Sequence, residues 1–139
     1  MAITTNAICN SFKKELLEGV HNFSNPGGNK FNLAMYISTA TLGKSTTSFT
    51  TSGQVTSPAG YTSGGKLLVN TGTSVSSSVA ITDFADLSFT NVTLTARGAL
   101  IYNTSATNKA VCVLDFGGDK TATAGTFTIQ FPAFTTSAS

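Results

Sequence analysis

The apolar positions of this chain change period once. In the stretch AICNSFKKELLEGVHNF, Ile8, Phe12, Leu16 and Val20 recur every fourth residue, and Cys9 and Leu17 widen the stripe. Lys13, Lys14, Glu15 and Glu18 take the opposite side. Such spacing predicts an amphipathic helix of about four turns over residues 7–21. Thr4, Thr5 and Asn6 offer N-cap oxygens ahead of it, and Gly19 marks its end. A lone amphipathic helix beside strands is expected to pack its stripe on a sheet.

After the turn signals Asn25-Pro26 and Gly27-Gly28 the period becomes two. Phe31, Leu33, Met35 and Ile37 alternate with Asn32, Ala34, Tyr36 and Ser38, the pattern of a strand with one buried face. Residues 39–65 are polar and rich in turn formers, and read mainly as an extended surface loop with one short strand near Ser48–Thr51. Further short strands are predicted in KLLVNTG, in SVSSSVAIT and in DLSFTNVTLTARGALIYN, where Gly98 suggests a bulge. KAVCVLDFGGDK is apolar on both faces and reads as a central strand, covered on one side by the helix and ended by Gly117-Gly118-Asp119. In GTFTIQFPAF, Phe127, Ile129 and Phe131 share one face and Pro132 closes the strand. ALIYN and KAVCVLDF, joined by TSATNK, are expected to form a hairpin.

Seven or eight short strands with regular turn signals point to a mainly β protein, a single β-sandwich with one N-terminal helix. Ig-like and jelly-roll topologies both satisfy this spacing. The expected organisation is one domain over residues 1–139: an arm (1–6), the helix (7–21), the strands (31–132) and a polar tail (133–139).

Composition agrees. The chain has 139 residues, enough for one domain with its own core. Thr and Ser supply 24 and 16 of them, charged residues only 10%, and hydrophobic residues 40%, which argues against disorder. The net charge is +2, and the eight basic residues are scattered rather than gathered with aromatics, which argues against a nucleic-acid face. There is no apolar run of membrane-spanning length and no secretory leader pattern, so no membrane partner is expected.

Candidate chemistry is sparse. His21 is the only histidine and is expected at the helix C-terminus as a capping or surface side chain. Asp115 and Asp119 flank FGG; a glycosidase would need two such carboxyls facing each other, while the simpler expectation is a turn residue and a paired carboxylate. TDFAD and DFGGD raise calcium, but neither has the acidic ligand spacing of an EF-hand loop. Cys9 and Cys112 read as buried thiols with a disulfide left open, and no Cys/His metal spacing exists. Catalytic, cofactor and metal residues are therefore expected to be none. Three glycosylation sequons, at Asn22, Asn91 and Asn103, are at the level chance allows in so Thr/Ser-rich a chain.

The blocks ITTNAICNSFKKELLEGVHNF, FNLAMYISTATLG, ITDFAD, TARGALIYN and KAVCVLDFGGDKTATAGTFTIQFP, in that order, resemble a family of small virion proteins of tailed bacteriophages. The resemblance covers most of the chain and is weakest over 43–80 and the tail PAFTTSAS. It implies a non-enzymatic virion component: a capsid decoration (cement) protein, a head fibre, or a tail-associated β-module that touches host glycans. It implies as partners the major capsid protein and other virion proteins, a homo-oligomer with a trimer favoured, and residence on the phage particle after assembly in the host cytoplasm. It carries no site residues. The expected contact residues come from the chain itself: Met1, Thr4, Thr5 and Asn6 on the arm, Phe49 and Tyr61 on the 39–65 loop, and Thr135 at the start of the tail.

Overall fold

The structure is a computed structural model, and it describes residues 3–56 and 60–131. The chain is mainly β, with two sheets and one short N-terminal helix in a sandwich-like arrangement, as the sequence pattern predicts. The order is β1 (Ala7–Ile8), α1 (Asn10–Leu17), β2 (Phe31–Tyr36), β3 (Lys66–Leu67), β4 (Asn70–Ser76), β5 (Val79–Phe84), β6 (Leu87–Asn103) and β7 (Lys109–Ile129). The main sheet runs β1-β7-β6-β2-β3, and β4-β5 form a separate ribbon.

The ALIYN–KAVCVLDF hairpin is present and forms the centre of the main sheet. Leu100 pairs with Val113 and Ile101 with Cys112. On its other side ALIYN pairs with β2, Leu33 against Ile101 and Met35 against Ala99. ALIYN is thus buried on both faces and flanked on both edges. The hairpin turns through a 3₁₀ segment, Thr104–Ala106, capped by the Asn103 side chain, which accepts the Ser105 N–H.

Several expectations are corrected. The helix spans eight residues, not fifteen. Ala7 and Ile8 leave the helical path to pair with Val113 and Cys112 on the edge of β7. The N-cap is Cys9, without a side-chain cap, so Thr4, Thr5 and Asn6 do not cap the helix. Of the predicted stripe, Phe12 and Cys9 are buried, while Ile8, Leu16 and Leu17 face solvent. Two ladder bonds to an exposed sheet edge displaced the first turn of a short helix whose nucleation is costly. SVSSSVAIT is not one strand; it turns back at Ser77-Ser78 to make the β4-β5 hairpin.

Gly117-Gly118 does not end the last strand either. β6 and β7 run on together to Leu87 and Ile129. The glycines lie in a bulge, because Gly98 pairs with Asp115 and Ala96 with Lys120, so Phe116–Asp119 stand opposite Arg97 alone. The register does shift at Gly98, as its position in the sequence suggests. Phe127 and Ile129 are buried on one face of β7 as expected, and Phe131 is partly buried. Pro132 and the tail lie outside the described residues.

β2 is buried on both faces, including Ala34 and Tyr36, whereas Ile37 is largely exposed. The second cover comes from the 39–65 segment. Val55 N–H donates to Met35 O, Ile37 N–H donates to Gly53 O, and Ser48 bridges to Lys109. A sheet edge with open N–H and C=O groups needs partners, and this irregular segment supplies them. Its apolar side chains Ala40, Leu42, Val55 and Tyr61 enter the core. An aromatic row then ties the parts together: Phe12 meets Phe23 edge-on at 5.9 Å, Phe23 stacks on Phe31 at 4.5 Å, and Phe84 lies 5.8 Å from both Phe31 and Phe131. Through Phe84 the root of the β4-β5 ribbon is anchored to the main sheet.

Candidate functional site

A concave part of the described surface lies along β7 beyond the point where β1 stops pairing with it. A groove of about 740 Å³ is lined by Leu114, Phe116, Ala122, Phe127, Ile129 and Phe131, with Asn6, Asp115, Lys120 and Gln130 among its polar contributors. That size is in the range of small-ligand and peptide-binding clefts. The bulge makes it. Four residues of β7 against one of β6 bend the strand, and a bent strand turns its side chains toward a common hollow.

Asp115 stands at the hinge of that bend. Arg97 Nε donates to Asp115 Oδ1 at 2.8 Å, and the same oxygen accepts the Gly117 N–H at 2.9 Å. The Arg97 hydrogen bond, helped by that of Gly117, holds the Asp115 carboxyl below its usual range. The Asp115 N–H donates to Asn6 Oδ1 at 2.6 Å. The arm is therefore fastened across the sheet edge: Ile3 is buried in the core and Asn6 is bonded to β7. Asp115 is engaged by Arg97, and Asp119 lies exposed within β7 rather than in a terminal turn.

A second recess, of about 460 Å³, lies on the other side of the arm. Thr4, Thr5, Asn6 and Ile8 line it together with Lys13, Leu42 and Lys44. Asn6 lines both hollows, whereas Thr4 and Thr5 line the second alone. Met1 and Thr135 lie outside the described residues.

The two aromatic contact residues of the long loop are placed inward. Tyr61 is 3% exposed, and its hydroxyl donates to Gln54 and accepts from the Met35 N–H. Phe49 stacks on Tyr102 at 4.6 Å, and its N–H donates to Asn108 O. Tyr61 offers no open ring face for a ligand to stack on, and Phe49 is half-buried with one face against Tyr102. In the sequence, Tyr61 and Phe49 sit among Thr, Ser and Gly, which gives no local sign of burial.

His21 corrects its expectation as well. Its side chain is fully buried, packed against Phe12 at 4.8 Å between ring centroids. Nε2 lies 2.8 Å from Glu15 Oε1, and Nδ1 lies 2.9 Å from Asn103 Nδ2. Asn103 is itself fully buried, so the sequon there is closed to modification. The two cysteines are free: Cys9 is buried and Cys112 partly so. Burial pushes the Cys112 thiol up to about 12 and the Cys9 thiol to about 11, far from the range of a reactive thiolate. Among the described residues no three His, Cys, Asp or Glu side chains gather as a metal site, and no helix is long and apolar enough to cross a membrane.

The groove was missed at the sequence level. Its apolar lining was legible as the Leu114–Phe116 and Phe127–Phe131 alternations, but the bulge that curves them around a hollow depends on a register between two strands. No family model, curated protein or solved structure matches this chain.

Proposed function

We propose that this chain is a non-enzymatic structural protein of a bacteriophage virion, a capsid decoration (cement) protein that adheres to the assembled head shell. The observation that carries this reading is the groove beside the outer edge of β7, an adhesive hollow that begins where the pairing of Ala7 and Ile8 with that edge ends. Two side chains of catalytic type are engaged within the fold, His21 by Glu15 and Asn103, and Asp115 by Arg97. The sequence resemblance supplies the biological setting.

In this role the partners are the major capsid protein and further copies of the chain, with a trimer at local threefold points of the shell. Cementing works by linkage. Surface buried on the assembled shell and not on free subunits shifts the equilibrium toward assembly. A contact of about 1,200–2,000 Å² is ordinary for a stable bond of this kind. The alternative, a tail or fibre module touching glycans through the 39–65 loop, is disfavoured by the burial of Tyr61, the one tyrosine of that loop.

The test is localisation on purified particles. Gold-labelled antibody against the chain is expected over heads, and particles lacking the chain are expected to lose DNA at lower temperature. Label confined to tails, or particles of unchanged thermal stability without it, overturns the reading.

A further inference from the structure

His21 is the only histidine, and its ring is enclosed between α1 and the tip of the β6-β7 hairpin. The surrounding network fixes its proton. Asn103 Oδ1 is taken by the Ser105 N–H at 2.9 Å, so the amide nitrogen is the atom turned toward His21. That nitrogen donates one hydrogen to Asn29 Oδ1 at 3.0 Å and the other to His21 Nδ1. An amide nitrogen only donates, so Nδ1 must present a lone pair. The ring hydrogen therefore sits on Nε2 and is donated to Glu15 Oε1.

We propose that this His21–Asn103 contact is a proton-operated latch, in which a second proton taken up at Nδ1 in mild acid unfastens the hairpin tip from His21. The two sides of the ring respond differently. On the Glu15 side the Nε2–H bond exists in both states and gains charge attraction, so His21 stays with α1. On the Asn103 side an N–H would face an N–H. Rotating the amide would offer Oδ1 to the imidazolium, but would withdraw it from Ser105 N–H and turn it against Asn29 Oδ1. The rotated amide gives up the cap on Thr104–Ala106, and the unrotated one is pushed off the ring together with the hairpin tip.

The charged and titratable groups packed around the ring do not undo this. Glu15 comes from α1, and Lys109 from β7 lies 3.9 Å from its second oxygen, Oε2. The Cys9 thiol at the start of α1, held up at about 11, stays neutral. The effect then travels through Ser105, whose hydroxyl accepts the Lys30 N–H, and Thr104, whose N–H and hydroxyl both donate to Lys30 O. Opening the latch frees the tip of β6-β7 and the entry to β2 together, while α1 remains docked.

The lone histidine makes the experiment clean. Nitrogen NMR of the labelled full chain is expected to show the Nε2–H tautomer near neutrality. As the same spectra report a second proton on the ring, the Ser105 amide is expected to lose protection about tenfold after correction for intrinsic exchange, with the amides of Asn10–Leu17 unchanged. Asn103→Asp supplies an acceptor to the charged ring and is expected to hold Ser105 protected in acid. His21→Gln is expected to abolish the pH dependence. An Nδ1–H tautomer at neutral pH, or a cationic ring with Ser105 protection unchanged, overturns the latch in the unaltered protein even where a variant fails to fold.

Discussion

Tyr61 and Gln54 are joined by a buried hydrogen bond of 2.8 Å, the phenol donating to the amide oxygen, while the same phenol oxygen accepts the Met35 N–H at 3.0 Å. This one contact fixes the long irregular segment to the middle of β2. Gln54 Oε1 also accepts the Gly64 N–H, and Gln54 Nε2 donates to Ser63. A loop without regular structure is held in place because backbone and side-chain partners together satisfy its polar groups.

Removing that phenol oxygen leaves the Met35 N–H buried without an acceptor. Tyr61→Phe is expected to cost about 1–3 kcal/mol, the range for a buried unsatisfied donor. Urea unfolding measures it, and the slope of the transition should stay constant while the midpoint falls. A midpoint equal to that of the native chain would mean that the loop is not fixed through Tyr61.

Two glycines with similar backbone angles should respond very differently to alanine. Gly65 has φ +83°, and a Cβ there would lie 1.8 Å from the Leu33 carbonyl oxygen. Gly117 has φ +82° with open space around it. Gly117→Ala is expected to cost about 1–2 kcal/mol, the cost of a left-handed residue with a side chain. Gly65→Ala adds a backbone clash and is expected to cost clearly more, about 3 kcal/mol or above. Paired thermal melts rank the two, and the reverse order would place the β2-β3 contact wrongly.

Acid should loosen the bend that forms the groove. The carboxyl of Asp115 is held below its ordinary value of 3.8 by Arg97 and by the Gly117 N–H. A lowered value in the folded state stabilises the fold above 3.8, and that contribution is lost as the pH falls through the folded value. Asp115→Asn is therefore expected to flatten the acid limb of a stability–pH curve below about pH 4 and to leave the neutral region nearly parallel to the native curve. An acid limb unchanged by the substitution would remove Asp115 from the account.

Alkali should unfold the chain cooperatively. Burial holds Tyr61 up at about 12, Cys112 at about 12 and Cys9 at about 11, and raises Tyr36 and Tyr102 as well. Each is an acid whose folded value is raised, so its contribution is complete below the unfolded value and disappears as the pH rises toward the folded one. Unfolding is favoured from about pH 9, where the unfolded thiols begin to ionise. Phenolate absorbance and thiol reagent uptake are expected to appear together with loss of the far-ultraviolet β signal. Fast labelling of both thiols of the native chain at pH 8 would contradict the burial of Cys9.

What the sequence determined by itself was local. The ALIYN–KAVCVLDF hairpin, the apolar face of Phe127 and Ile129, the bulge at Gly98 and the mainly β class all follow from alternation and turn chemistry, which a few neighbouring residues decide. The tertiary structure decided the rest, because each remaining outcome depends on a partner far along the chain. Ala7 and Ile8 left the helix for the edge of β7, β7 ran on through Gly117-Gly118 because β6 continued beside it, and the bulge opposite Arg97 curved it into a groove. His21 and Tyr61 went inward because Asn103 and Gln54, distant or irregularly placed in sequence, could satisfy their polar atoms. Periodicity reports which side chains avoid water; only the assembled sheet reveals which backbone and polar groups still lack a partner, and those groups set the final boundaries.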